Sequence, residues 1–164
     1  MHVSQYHQIV SKLVDSDLSY GDQICFQVTS NSMHPIINKG DSVIAEVISG
    51  RDVQCGDIVV VKRKDDFLAH RAILHNKNGW LIKGDNNTIP DHLVPITDII
   101  GRVTKVKKNN HEVNLESRKW KAINPYLAKL GWLQIQIFLH HPVLRLPLRF
   151  FIKIIQITTT LHHQ

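Results

Sequence analysis

The chain has 164 residues, 43% hydrophobic and 21% charged, which excludes a disordered protein and leaves room for one cored domain plus an appendage, but hardly for two full domains. Its two cysteines, Cys25 and Cys55, are too few for a disulfide framework; they either pair with each other or stay as buried free thiols. The net charge of +6 is uneven, with ten Lys/Arg against twelve Asp/Glu in residues 1–104 and ten against two in residues 105–164, so nucleic-acid binding by the whole fold is disfavoured and any polyanion contact falls to the basic C-terminal part.

No basic leader precedes an apolar run at the amino terminus, so residues 1–8 do not read as a signal peptide. No stretch of about twenty uncharged apolar residues reads as a spanning helix. Residues 4–14 place Ile9, Val10, Leu13 and Val14 at helical spacing and predict a short amphipathic helix. Residues 23–29 alternate Ile24, Phe26 and Val28 with polar or smaller neighbours, the period of a half-buried strand. A turn at 36–41 leads into a predicted strand at 42–48, and residues 57–63 contain the run Ile58-Val59-Val60-Val61 expected of a strand buried on both faces. Residues 67–74 form its hairpin partner, and further strands are expected at 80–83, 99–107 and 111–115, the last two joined as a hairpin through Lys108-Asn109-Asn110.

Beyond Ser117 the alternation gives way to longer apolar and basic segments. A helix at 120–130, interrupted or restarted at Pro125, and a second at 131–141 are expected; Pro142 and Pro147 argue against one continuous helix through the region. A last helix at 148–157 carries Arg149 and Lys153 among Phe150, Phe151, Ile154 and Ile155. That combination suits the plane of an anionic membrane surface, and equally a helical cap on the β domain or a dimer contact. The chain thus divides into a strand-rich domain at 1–116 and a basic, apolar helical extension at 117–164.

Ser32 follows a predicted strand and precedes the turn fixed by Pro35, with the Ser30 hydroxyl two residues away. A serine hydroxyl near neutral pH needs a base to accept its proton and donors for the developing oxyanion. His70, within the apolar strand at 67–74, supplies an imidazole of suitable basicity. Asp85 and Asp91 lie in the loop after the 80–83 strand; one carboxylate orients the histidine and the other holds the loop, and spacing alone does not assign them. The eleven histidines lack a compact ligand motif, so neither metal nor cofactor is expected.

Together, Ser30-Asn31-Ser32-Met33-His34-Pro35 with Gly40-Asp41, Gly56-Asp57-Ile58-Val59, His70-Arg71, Lys83-Gly84-Asp85-Asn86-Asn87 and Gly101-Arg102-Val103 resemble, in order, the boxes of type I signal peptidases. The likeness spans about residues 24–104. It is greatest to the endoplasmic-reticulum, archaeal and sporulation-type branch, which pairs serine with histidine. The resemblance implies a mainly β, coiled antiparallel peptidase fold shared with LexA-type peptidases. It implies Ser32 as nucleophile, His70 as base, Asp91 as the acid behind it and Asp85 as the acidic residue of the Lys-Gly-Asp-Asn-Asn box. The Ser32 N–H and the Ser30 hydroxyl are the implied oxyanion donors, and Met33 packs near the substrate groove. The implied partner is a peptide or precursor protein that adds as an extended strand with small residues beside the scissile bond.

Signal peptidases usually begin with a transmembrane anchor, which this sequence does not show; peripheral attachment through the basic C-terminal helices is the expected substitute. Asn31 stands where Gly is common and Pro90 where an acidic residue is common. A LexA-type self-cleaving domain would bring a helix-turn-helix ahead of the β domain and a lysine base, and a non-catalytic peptide-binding module would have lost one of the four side chains. Neither pattern fits as well as an active serine endopeptidase.

Overall fold

The strands follow from period-two apolar patterning at both ends of the chain's first two thirds, and they meet in one sheet around a long central strand. The computed structural model describes residues 18–63, 66–109, 111–140 and Ile154. The helix expected at 4–14 lies outside the described residues, as does the one expected at 148–157 apart from Ile154, which is helical. The strands are β1 (Gln23–Gln27), β2 (Ser42–Val47), β3 (Ile58–Lys62), β4 (Phe67–Asn76), β5 (Gly79–Lys83), β6 (Ile99–Lys108) and β7 (His111–Asn114), followed by the helix α1 (Arg118–His140). They form a mainly antiparallel seven-stranded sheet in the order β1-β2-β6-β3-β4-β5, with β7 also on β6.

Strand β6 organises this order because its length lets three strands use it. Gly101–Lys107 pairs with β2, while the opposite edge serves β3 at Ile99–Arg102 and β7 at Lys105–Lys108. The run Ile58-Val59-Val60-Val61 in β3 is buried throughout because the sheet is covered on both faces. Ile58 and Val60 join Ile24, Met33, Ile37, Val43, Val106, Trp120 and Leu127 on one face. Val59 and Val61 join Ala72, Trp80, Ile82, Val94 and Ile99 on the other. Each such side chain contributes about 1.5–3 kcal/mol by leaving water, so β3 is the strand least tolerant of a polar substitution.

The C-terminal part departs from the sequence expectation. One helix, not two, runs through Pro125 and Gly131. Its buried positions Trp120, Asn124, Leu127, Ala128, Gly131, Gln134 and Ile135 recur at the three- and four-residue spacing of a single stripe, and packing along that stripe outweighs the amide hydrogen that Pro125 lacks. Ser117 caps the helix, its Oγ accepting the Trp120 N–H at 3.5 Å. The stripe docks on β4 and β5 through Ile73 and Leu81. At Gly56, where φ is +101°, an added Cβ would come within 2.6 Å of the Asn124 carbonyl carbon, so only glycine lets the loop before β3 reach the helix backbone.

Among the described residues no helix is long and apolar enough to cross a membrane. Helix α1 carries no acidic residue and exposes Tyr126, Trp132 and Leu133. The cysteines are free and both are exposed residues, so neither the pairing nor the burial considered from sequence holds. Cys25 sits on β1, where alternation turns Ile24 into the core and its neighbour outward.

Candidate active site

Ser32 stands in the loop between β1 and β2, whose neck is closed by the Val28 N–H on Asp41 O and the Gly40 N–H on Val28 O, both at 2.8 Å. The loop is held from beneath by Met33, Ile36 and Ile37, all buried in the first core cluster. That anchoring leaves Ser30 and Asn31 exposed and Ser32 half-buried on the rim. Asn31 does more here than a glycine would, since its Oδ1 accepts the Lys39 N–H at 2.8 Å and spans the loop. His34 Nδ1 bonds Asn38 Oδ1 at 2.7 Å, and the His34–Pro35 peptide is cis. Ser30 Oγ and Ser32 Oγ are 3.2 Å apart. No backbone acceptor takes the Ser32 N–H among the described residues.

The strand period decides which aspartate belongs to which partner. Successive side chains of β4 point to opposite faces, so His70 and Arg71, although adjacent, look in opposite directions. His70 turns to Asp91, with Nδ1 2.5 Å from Oδ2. Arg71, wholly buried, turns to Asp85, donating from Nε to Oδ1 at 2.8 Å and from the terminal nitrogen NH2 to Oδ2 at 2.7 Å. The alternative left open by spacing is thereby closed: Asp91 is the carboxylate on the imidazole, and Asp85 is the counter-ion of a buried guanidinium.

The loop from Lys83 to Asp91 folds around both. Lys83, also buried, donates Nζ to Gly84 O at 2.9 Å and to Asn87 O at 2.8 Å, which fixes the turn from inside. The chain then returns beside β5, with the Asp91 N–H on Ile82 O at 2.9 Å and Trp80 bridged to Val94. That return carries Asp91 alongside β5 to His70. The turn also grips the Ser32 loop: the Asn86 N–H reaches Ser32 O at 2.8 Å and Asn86 Nδ2 reaches Asn31 O at 3.1 Å. Met33, expected near the groove, is 2% exposed, and its Sδ accepts the Asp85 N–H at 3.4 Å. It ties the two loops together from below.

Gly84 is where the halves of the site close. A Cβ there would lie 2.7 Å from Ser32 O, 2.8 Å from Asn87 Nδ2 and 2.9 Å from His70 Nε2. The Ser32 backbone and the imidazole therefore approach the same point, and only a residue without a side chain fits between them. Gly84→Ala is expected to move the Ser32 carbonyl and His70 apart by roughly 1 Å, with the sheet still formed; a crystal structure of the variant beside circular dichroism checks it.

His70 is 3% exposed, and its Nε2 is buried with no hydrogen-bond partner. A buried polar atom without a partner costs stability and calls for an explanation. Burial by itself would raise the Asp91 carboxyl, but the hydrogen bond and charge of His70, with the Arg63 guanidinium 3.3 Å away, hold it below the usual carboxylate range. An ionised Asp91 takes Nδ1–H, and in the neutral imidazole Nε2 is then the acceptor nitrogen. Partial burial of its Sγ pushes the Cys55 thiol up, although the residue as a whole is exposed, and that Sγ donates to Ile73 O at 3.2 Å. Among the described residues no group of three His, Cys, Asp or Glu side chains could hold a metal ion.

A protein-family profile described as Peptidase S24-like matches residues 2–104, a span that includes Ser32, His70, Asp85 and Asp91. The chain belongs to the Peptidase S24-like family. That family joins serine peptidases and LexA-type self-cleaving domains in a superfamily with signal peptidases, in agreement with the antiparallel sheet. A search of curated proteins found no match.

In this S24-like chain the Ser32 carbonyl and His70 Nε2 converge at Gly84, with Ser30 Oγ beside Ser32 Oγ and Asp91 on His70 Nδ1, whereas Asp85 pairs with Arg71 on the opposite face of β4. Sequence reasoning left Arg71, Gly84 and Asn86 without roles, although all three lie in the boxes that carried the resemblance. Asn124, whose Oδ1 accepts from the Arg71 terminal nitrogen NH1 at 3.0 Å, had no sequence signal at all.

Proposed function

We propose that the protein is a serine endopeptidase of the signal-peptidase kind that cuts leader-type peptides with Ser32, His70 and Asp91. The observation that carries this reading is the buried, unpartnered Nε2 of His70 facing the Ser32 backbone while Asp91 holds the other ring nitrogen. The chemistry needs the Ser32 hydroxyl to turn from Ser30 toward Nε2, the kind of tightening that a bound substrate induces.

Oγ then attacks the scissile carbonyl, and His70 takes the hydroxyl proton. The Ser32 N–H and the Ser30 hydroxyl hold the oxyanion. His70 returns the proton to the departing amine, leaving a Ser32 ester, and then takes a proton from the water that hydrolyses it. The peptide lies extended against a strand edge, and small residues beside the scissile bond let its backbone approach Ser32.

The S24-like match favours a second reading, self-cleavage of the LexA type. A lysine base would go with it, and Lys83 Nζ is committed to two carbonyls while His70 faces Ser32. Incubation with a library of extended peptides bearing Ala or Gly at the candidate subsites, read by mass spectrometry, separates the two. Cleavage of added peptide by the wild type but not by Ser32→Ala supports the proposal. Scission of the protein's own chain alone, at a rate independent of its concentration, overturns it in favour of self-cleavage.

A further inference from the structure

We infer that Asn124, on helix α1 and outside the residues that match the family, is a positioning residue for the Ser32 loop. The inference rests on the peptidase reading only for its effect on rate. Asn124 is buried, and its side-chain oxygen accepts from Arg71, as does Gly56 O at 2.7 Å. A guanidinium is a rigid planar fork. With one terminal nitrogen held by Asn124 and Gly56, its remaining donors are aimed at the two oxygens of Asp85.

Asp85 in turn precedes Asn86, whose amide and side chain hold the carbonyls of Ser32 and Asn31. A continuous set of hydrogen bonds therefore runs from α1 through a buried charge pair to the backbone of the serine. The close seat of Gly56 against the Asn124 and Pro125 backbone fixes the helix at the one point where this contact is made.

The test compares wild type, Asn124→Ala and Asn124→Asp in the full chain. Labelling by a fluorophosphonate is resolved into kinact and KI, hydrogen exchange is followed at the Asn86 amide, and urea unfolding reports stability. Asn124→Ala is expected to lower kinact about tenfold with KI unchanged and to speed Asn86 exchange about tenfold. Asn124→Asp, which keeps an oxygen for the guanidinium, is expected to restore both to within about twofold. Should the alanine variant not fold, Asn124→Ser is measured by the same criteria. Unchanged Asn86 exchange in the folded variant overturns the inference whether or not the protein is a peptidase; wild-type protein that never labels at Ser32 counts against the peptidase reading instead.

Discussion

Arg71→Ala is expected to lower the unfolding free energy by about 3–5 kcal/mol, the cost of removing one member of a buried ion pair. Arg71 is fully buried and donates to both oxygens of Asp85, to Gly56 O and to Asn124 Oδ1. Its loss takes the guanidinium donors from a buried carboxylate and from two buried acceptors. Arg71→Lys is expected to recover only part of the stability, because an ammonium cannot present the two parallel donors that Asp85 receives. Removing both charges in Arg71→Met/Asp85→Leu is expected to cost less than Arg71→Ala alone, since no unpaired charge then remains. Urea midpoints with unchanged m-values measure all three, and a loss below about 1 kcal/mol in Arg71→Ala would mean that the pair is not the junction between sheet, helix and turn.

Asp91→Asn is expected to preserve the fold and to lower the turnover number by about 10³- to 10⁴-fold. An amide cannot demand the Nδ1 proton as a carboxylate does, so the ring populates the wrong tautomer and loses the anion that stabilises its protonated form. The same substitution has a signature in stability against pH. The Asp91 carboxyl is held below its ordinary value, burial being outweighed by His70 and Arg63. Its contribution is therefore present above the ordinary carboxylate range and is lost as pH falls through the depressed value. Asp91→Asn is expected to flatten that acid-side decline, and urea titrations between about pH 2 and pH 6 measure it. An undiminished turnover in Asp91→Asn would show that the carboxylate touching His70 has no part in the chemistry.

What the sequence made legible was whatever depends on local period. The run Ile58–Val61 announced a strand covered on both faces, and the alternation at Ile24, Phe26 and Val28 announced β1. The turn residues between 107 and 111 announced the β6–β7 hairpin. Ser32 and His70 stood out only once the ordered boxes were taken together, since neither local context is distinctive by itself; the structure brings the Ser32 carbonyl and His70 Nε2 to one point at Gly84. The helix was misread for the opposite reason. Pro125 and Gly131 are local breakers, and the stripe that overrides them has its reason only in tertiary packing, of Trp120 and Leu127 in the first core cluster and of Ala128 and Ile135 against Ile73 and Leu81.

The division of labour between Asp85 and Asp91 was hidden for a different reason. Both sit in one loop, and their separation follows from the opposite directions of His70 and Arg71 on β4. Gly84 and Asn124 are further from sequence reasoning still. One acts through a side chain it lacks, and the other meets a partner 53 residues away.

Covalent labelling tests whether Ser32 is a nucleophile activated by His70. Purified wild type, Ser32→Ala and His70→Ala are exposed to a fluorophosphonate near pH 8, and the modified residue is located by mass spectrometry of the digested protein. One label per chain is expected, on Ser32, absent from Ser32→Ala and slowed by about 10³-fold or more in His70→Ala. Labelling that persists in Ser32→Ala, or that proceeds at the wild-type rate without His70, would contradict it.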